Sequence, residues 1–153
     1  MGQAGGADES YARTMEITRT ACVGAIIRDQ RGRLLLVRRG TEPGLGRWSV
    51  PGGRVEPGEG AWAAVIREVR EETDLHVTVD ALAGVVERPG LDGEVYVIED
   101  FYAQLEPGSD PRAIHAGDDA DDVGWFYPEQ VVTMDCVDGL VDALRQWRVL
   151  PRT

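Results

Sequence analysis

Gly53-Arg54-Val55-Glu56-Pro57-Gly58-Glu59 and, with seven residues between, Arg67-Glu68-Val69-Arg70-Glu71-Glu72-Thr73-Asp74-Leu75 form the stretch that decides the fold. Pro57-Gly58 forces a turn, and an apolar-periodic stretch begins just after Glu59. Residues 60–73 suit a helix, with Trp62, Val65, Ile66, Val69 and Thr73 at helical spacing on one face. Glu68 and Glu72 are one turn apart and Glu71 is three residues from Glu68, so these acids share a second face. Ala61 and Ala64 lie on that second face and leave room for an approaching group. Carboxylates crowded together repel one another unless a cation sits between them. A set of oxygen ligands on a rigid element suits Mg²⁺, with Mn²⁺ as the alternative, rather than zinc.

The offsets resemble the signature of the Nudix hydrolases: Gly, five residues, Glu, seven residues, Arg-Glu, an apolar residue, any residue, Glu-Glu, any residue, Gly, an apolar residue. Six such matches by chance in a chain this long have odds on the order of one in a hundred thousand, at a typical frequency of about 6–7% per residue type. One position departs from the pattern, Asp74, which stands where the family has its final Gly. That position follows the helix and calls for a left-handed residue, where Gly is best and Asp is tolerated.

The resemblance implies an α/β fold, the Nudix-type α/β/α sandwich with a mixed β-sheet. By motif match it implies that Glu68, Glu71 and Glu72 hold divalent cations, with Glu68 also a candidate base, and that Glu59 and Arg67 support the site. Arg67 can orient Glu68 by a charge-assisted hydrogen bond. Gly52 and Gly53 let the backbone come close to a ligand, and the bare Gly52 carbonyl is a candidate hard-metal ligand. Many family members take an additional acid from a loop after the motif. Here the candidates are Asp118 and Asp119, with Glu99 and Asp100 on the preceding strand as rivals. Arg39 ends the strand leading to the glycine loop and can grip a phosphate in bidentate fashion. Trp48 and Trp125 suit core packing first and stacking on a base second, and the isolated His76 and His115 are assigned no ligand role.

A chain of 153 residues with 42% hydrophobic and 28% charged residues fits one globular domain. Residues 1–13, small and polar at their start, read as a flexible tail, and 14–153 as a single domain. A net charge of −11 argues against binding nucleic acid backbones. No apolar run is long enough for a membrane span and no secretory signal is seen, so the expectation is a cytoplasmic protein without membrane or nucleic-acid partners. Cys22 and Cys136 lie far apart in apolar contexts and read as reduced, buried thiols.

Around the motif, Thr14 to Arg28 reads as a strand, with Arg33 to Arg39 as its hairpin partner across Asp29-Gln30-Arg31-Gly32. Trp48 to Val50 is a short strand, His76 to Arg88 extended, and Glu94 to Leu105 a strand of strong β-formers. Pro107 to Asp122 is a long acidic loop before a strand over Val123 to Tyr127. A short turn of helix opens at Pro128, and an amphipathic helix closes the domain over Val137 to Arg148.

The metal-loaded acids beside a glycine loop suit hydrolysis of a phosphoanhydride by water. The motif implies a small nucleotide, a nucleoside diphosphate linked to some other moiety. Family ADP-ribose pyrophosphatases often carry a proline 15 or 16 residues past the motif, and Pro89 lies 15 residues after Asp74, so ADP-ribose or a similar sugar-linked diphosphate is placed first. A nucleoside triphosphate pyrophosphohydrolase, including one that removes oxidised nucleotides, is the alternative, and a non-catalytic nucleotide sensor the third reading. Many relatives are homodimers, so a homodimer is expected by resemblance.

Overall fold

The computed structural model describes residues 17–152; the tail expected over 1–13, and the start of the strand expected from Thr14, lie outside the described residues. The elements in chain order are β1 (Thr18–Ile27), β2 (Leu34–Arg39), β3 (Trp48–Ser49), β4 (Gly52–Arg54), α1 (Ala61–Thr73), β5 (Val77–Pro89), β6 (Glu94–Leu105), β7 (Ala120–Phe126), α2 (Pro128–Val131) and α3 (Leu140–Gln146). A four-stranded sheet runs β4-β1-β6-β5 and a three-stranded sheet runs β3-β2-β7. The β1–β6 pair is parallel and the other pairs are antiparallel, which makes the larger sheet mixed.

Residues 22–27 of β1 and 34–37 of β2 are buried on both strand faces, so both strands read as nearly continuous apolar runs. Alternate residues then go to opposite layers. Val23, Ala25, Ile27 and Leu35 pack with Val65 and Val69 of α1. Ile26, Leu34 and Leu36 pack instead with Leu140 and Leu144 of α3. A helix therefore closes the sheets on each side, and the α/β/α sandwich follows from this division of the apolar side chains. Each fully buried Val or Leu contributes roughly 1.5–3 kcal/mol of transfer free energy to that packing.

Several local expectations are corrected. β1 and β2 do not form an extended hairpin: they meet at the single bridge Arg28↔Leu34, and β2 then pairs with β3 and β7. The turn between them is held by Asp29, whose Oδ1 accepts from the Arg31 and Arg33 amides. It hands the chain from one sheet to the other, a choice that strand periodicity does not encode. On α1, Trp62 and Ile66 are 55% and 40% exposed, while Ala64 is fully buried; the core face is rotated toward Ala64, Val65, Val69 and Thr73. Ala64 is thus core and does not line an approach to the acids. α3 is shorter than expected, because Gly139 at φ +83° starts it only at Leu140. β7 begins at Ala120, inside the stretch expected to be loop.

α1 ends as its sequence suggests. Asp74 adopts φ 64°, ψ 14°, and its amide donates to the Arg70 carbonyl at 2.9 Å. Thr73 Oγ1 donates to the Val69 carbonyl at 2.6 Å and accepts from the Leu75 amide at 3.3 Å. The chain leaves the helix within one residue of Glu72, so the cap and the acidic face are one local structure.

Candidate active site

The glycine turn and α1 are in direct contact. The Gly52 amide donates to Glu72 Oε2 at 3.1 Å. A Cβ on Gly52 would lie 2.1 Å from the Val23 carbonyl oxygen, and one on Gly53 would lie 2.5 Å from Glu68 Oε1. Only glycine lets β4 sit between β1 and the acids of the helix. It is the Gly52 amide, not its carbonyl, that faces Glu72.

Arg67 ties the rest together. Its Nε and Nη2 donate to the two carboxylate oxygens of Glu59, each at 2.8 Å, the fork geometry that favours arginine over lysine. Nη2 also reaches the Arg54 carbonyl at 3.0 Å. Nη1 donates to Glu68 Oε1 at 2.9 Å and to Glu71 Oε2 at 3.2 Å. Glu59 in turn accepts from the Glu56 amide at 3.1 Å, so the loop folds onto the helix through one guanidinium. The arginine hydrogen bonds hold the Glu59 carboxyl down to about 2, and Glu59 first, then Glu68, holds the Arg67 guanidinium protonated.

The helix acids divide by environment. Burial, then the neighbouring Glu68 charge, pushes the Glu72 carboxyl up to about 8, against the Gly52 amide and the Arg39 charge. Burial also raises Glu68, opposed chiefly by Arg67. Glu71 is turned outward, with its side chain 58% exposed. The expected trio is therefore a half-buried pair and an exposed third. No group of three His, Cys, Asp or Glu among the described residues is gathered as a preformed ion cage. The donors that are present are oxygens, and an anionic pair destabilised by burial is what a hard divalent cation relieves.

The acidic loop before β7 is docked rather than free. The His115 amide donates to the Thr73 carbonyl at 3.0 Å and the Gly117 amide to the Glu72 carbonyl at 3.1 Å, satisfying carbonyls that the helix end leaves unpaired. A Cβ on Gly117 would lie 1.8 Å from the Glu71 carbonyl oxygen, so glycine is required for this approach. The docking brings Asp119 beside the acids, where its charge contributes to raising both Glu68 and Glu72. The exposed Asp118 is not among the residues lining the cleft.

A cleft of about 390 Å³ runs from Glu68, Glu72, Asp119 and Arg39 past Gly52 and Gly53 to a second end at Asp100, Arg88 and Tyr96. Arg39 reaches the cleft, and its Nε donates to the Pro43 carbonyl at 2.5 Å. Glu99 is absent from the cleft lining, while Asp100 lines the end that Arg88 faces. Trp48 packs edge-on against Phe126 with centroids 5.0 Å apart, and Trp125 Nε1 donates to the Pro111 carbonyl at 2.7 Å; both tryptophans are structural. Cys22 and Cys136 are buried free thiols, and burial pushes Cys22 up to about 11. Sequence reasoning missed Gly24, Gly117, Arg88 and Tyr96. For Gly24 the signal was present as a glycine inside an otherwise apolar strand, which marks close approach of another group; the other three carried no distinguishing local pattern.

This fold is that of the Nudix family, and the chain belongs to it: the NUDIX domain model matches residues 18–147. The family acts on nucleoside diphosphate derivatives and uses divalent metal ions. The chain is 33% identical over 103 residues, 67% of its length, to a Bacillus subtilis protein provisionally named as an 8-oxo-dGTP diphosphatase. It is 36% identical over 98 residues, 64% of its length, to the ADP-ribose pyrophosphatase of Methanocaldococcus jannaschii. The matched segments span 63% and 56% of those two relatives. The crystal structure of a MutT protein from Methanosarcina mazei superposes with a TM-score of 0.76 at 25% identity, covering 88% of this chain and 96% of that one. No helix among the described residues is long and apolar enough to cross a membrane.

Proposed function

We propose that the protein hydrolyses a phosphoanhydride bond in a small nucleoside diphosphate derivative, with Mg²⁺ as its cofactor. The observation that carries this reading is the half-buried Glu68–Glu72 pair, both raised by loss of solvent and set directly against the glycine turn. Glu68, Glu72 and Asp119 are the residues that would hold the cation, with the Gly52 carbonyl and the exposed Glu71 as further oxygens. A bound divalent ion would neutralise the diphosphate and acidify an attacking water.

The protein's own residues do the rest. Arg67 fixes the rotamer of Glu68 while Glu59 fixes Arg67, so the acid is held before substrate arrives. Glu68 accepts the proton of the attacking water. Arg39, at the mouth of the same cleft, offers its remaining guanidinium donors to a phosphate oxygen. Asp119 rather than Asp118 is taken as the additional acid from the loop; its place in the cleft lining and its charge acting on Glu68 and Glu72 support this.

Of the two relatives named above, one is named for an oxidised nucleoside triphosphate and the other for ADP-ribose. Pro89, the cue for ADP-ribose, ends β5 opposite Val95 and lines a pocket with Arg88, Tyr96 and Ile98. Two readings stand, a sugar-linked diphosphate such as ADP-ribose and a nucleoside triphosphate pyrophosphohydrolase, and turnover on defined substrates separates them. The test is a panel of normal and oxidised nucleoside triphosphates, ADP-ribose and NADH, each with Mg²⁺ and with EDTA, for wild type and Glu72→Gln. One preferred substrate, turned over only with metal and lost in the variant, is the expected result. Turnover in EDTA, or in Glu72→Gln at the wild-type rate, would overturn it.

A further inference from the structure

The proposed phosphate chemistry occupies one end of the cleft and leaves the other unexplained. There β6 contributes Tyr96, Ile98 and Asp100 to one sheet face, β1 contributes Cys22 and Gly24, and β5 contributes Arg88. Asp100 is the anomaly. It is 2% exposed, and its Oδ1 has no hydrogen-bond partner among the described residues. A buried carboxylate without a partner is costly and calls for one. Gly24 is its register partner on β1, and a Cβ at that position would lie 2.0 Å from Oδ1, so a glycine keeps the space over the strand for the carboxylate.

Arg88 faces the same region. It gives one N–H to the Asp138 carbonyl and forms no other hydrogen bond among the described residues. Its charge acts on Asp100, yet the two do not meet as an ion pair. An acceptor without a partner and a guanidinium with donors to spare therefore line the same end of the cleft. Ile98, Val50 and Leu140 supply apolar walls and Tyr96 a ring, the lining expected around a flat heterocycle.

We propose that Asp100 and Arg88 read the base of the nucleotide, and that they select a guanine-type edge, in which adjacent ring and amino N–H donors meet the carboxylate and the neighbouring carbonyl meets the guanidinium. Adenine and cytosine each place a single amino donor beside ring acceptors, which would repel the second carboxylate oxygen. Burial pushes the Asp100 carboxyl up to about 6, and above that pH it is an acceptor only. The inference rests on the nucleotide-hydrolase reading above, and extends it from the phosphates to the base.

The test compares GTP with ATP in Mg²⁺, using wild type, Asp100→Asn and Arg88→Gln. Wild type should favour GTP by about 10–100-fold in kcat/KM, carried mainly by KM, since a base contact binds ground state and transition state alike. Asp100→Asn should lose that preference and gain on ATP, because an amide matches the donor–acceptor pair of adenine. A purely structural role for Asp100 would lower both substrates equally, and that result, or a wild type indifferent to the base, overturns the proposal. Should Asp100→Asn not fold, Arg88→Gln reads the same question: the KM for GTP should rise and that for ATP should not, and an equal change in both overturns it. Should no nucleotide be hydrolysed, the hydrolase reading fails by itself, and equilibrium binding of GDP against ADP then decides the base reading. A GDP preference removed by Asp100→Asn supports it, and equal affinities refute it.

Discussion

Replacing Asp74 with glycine isolates what the departure from the family motif costs. Asp74 sits at φ 64°, ψ 14°, where its Cβ is strained and glycine is not. The left-handed conformation costs an ordinary L-residue roughly 1–2 kcal/mol, less for Asp, and glycine returns part of that gain as roughly 0.4–1 kcal/mol of extra chain entropy in the unfolded state. A second contribution is electrostatic. Asp74 puts a negative charge at the negative end of α1, beside Glu71 and Glu72, and removing it is worth about 0.3–1 kcal/mol. The net expectation for Asp74→Gly is a gain of about 1 kcal/mol, or a Tm higher by about 2–4 °C for a domain of this size. Asp74→Asn keeps the tolerance for the left-handed region and loses only the charge, so it should gain about 0.5 kcal/mol. The two melts, followed by circular dichroism in metal-free buffer, separate the contributions. Turnover on the best substrate should stay within about twofold, because the cap hydrogen bond to Arg70 uses the backbone alone. A lower Tm for Asp74→Gly would refute the strain argument. A large change in kcat would show that the cap sets the position of Glu72.

Other expectations follow from the same geometry. Gly53→Ala forces a Cβ to within 2.5 Å of Glu68 Oε1, so turnover should fall at least about tenfold while the far-ultraviolet circular dichroism spectrum is retained. Gly117→Ala meets the Glu71 carbonyl oxygen at 1.8 Å and should undock the loop that carries Asp119; faster amide exchange at His115 and Gly117, together with lost turnover, is the signature. Burial pushes the Asp100 carboxyl up to about 6, so folding favours its protonated form and stability is lost as pH rises from the ordinary carboxylate range through about 6. Asp100→Asn removes this slope. Its stability relative to wild type, measured by urea unfolding, should therefore improve by about 3 kcal/mol from pH 3 to pH 7, whatever the fixed cost of the amide.

The parts of the fold legible in the sequence were those with strong local signals. β6 came out with its bounds, because Glu94 to Leu105 is dense in β-branched and aromatic residues. The acidic helix was fixed by the Pro-Gly turn before it and the left-handed residue after it. Arg67 was legible as a partner of Glu68 and Glu71, which are its helical neighbours, whereas its bidentate hold on Glu59 depends on how the loop closes. What stayed hidden was tertiary. Strand alternation does not say which sheet β2 joins, and helical periodicity placed Trp62 and Ile66 inside when the sheet surface takes Ala64 instead. Asp100 looked like any strand acid, since only the assembled sheet shows Gly24 beside it and no partner for its oxygen.

Glu68 and Glu72 form a half-buried pair suited to receive a divalent cation. The direct measurement is calorimetric titration of Mn²⁺ into metal-free wild type, Glu72→Gln and Glu56→Gln. Wild type and Glu56→Gln should bind with similar affinity, because the Glu56 side chain is exposed and meets the site only through a 3.7 Å contact with Arg67, while the hydrogen bond from its amide to Glu59 is kept in the variant. Glu72→Gln should bind at least about a hundredfold more weakly, the loss of one charged oxygen ligand. Equal Mn²⁺ affinity in wild type and Glu72→Gln would contradict the account.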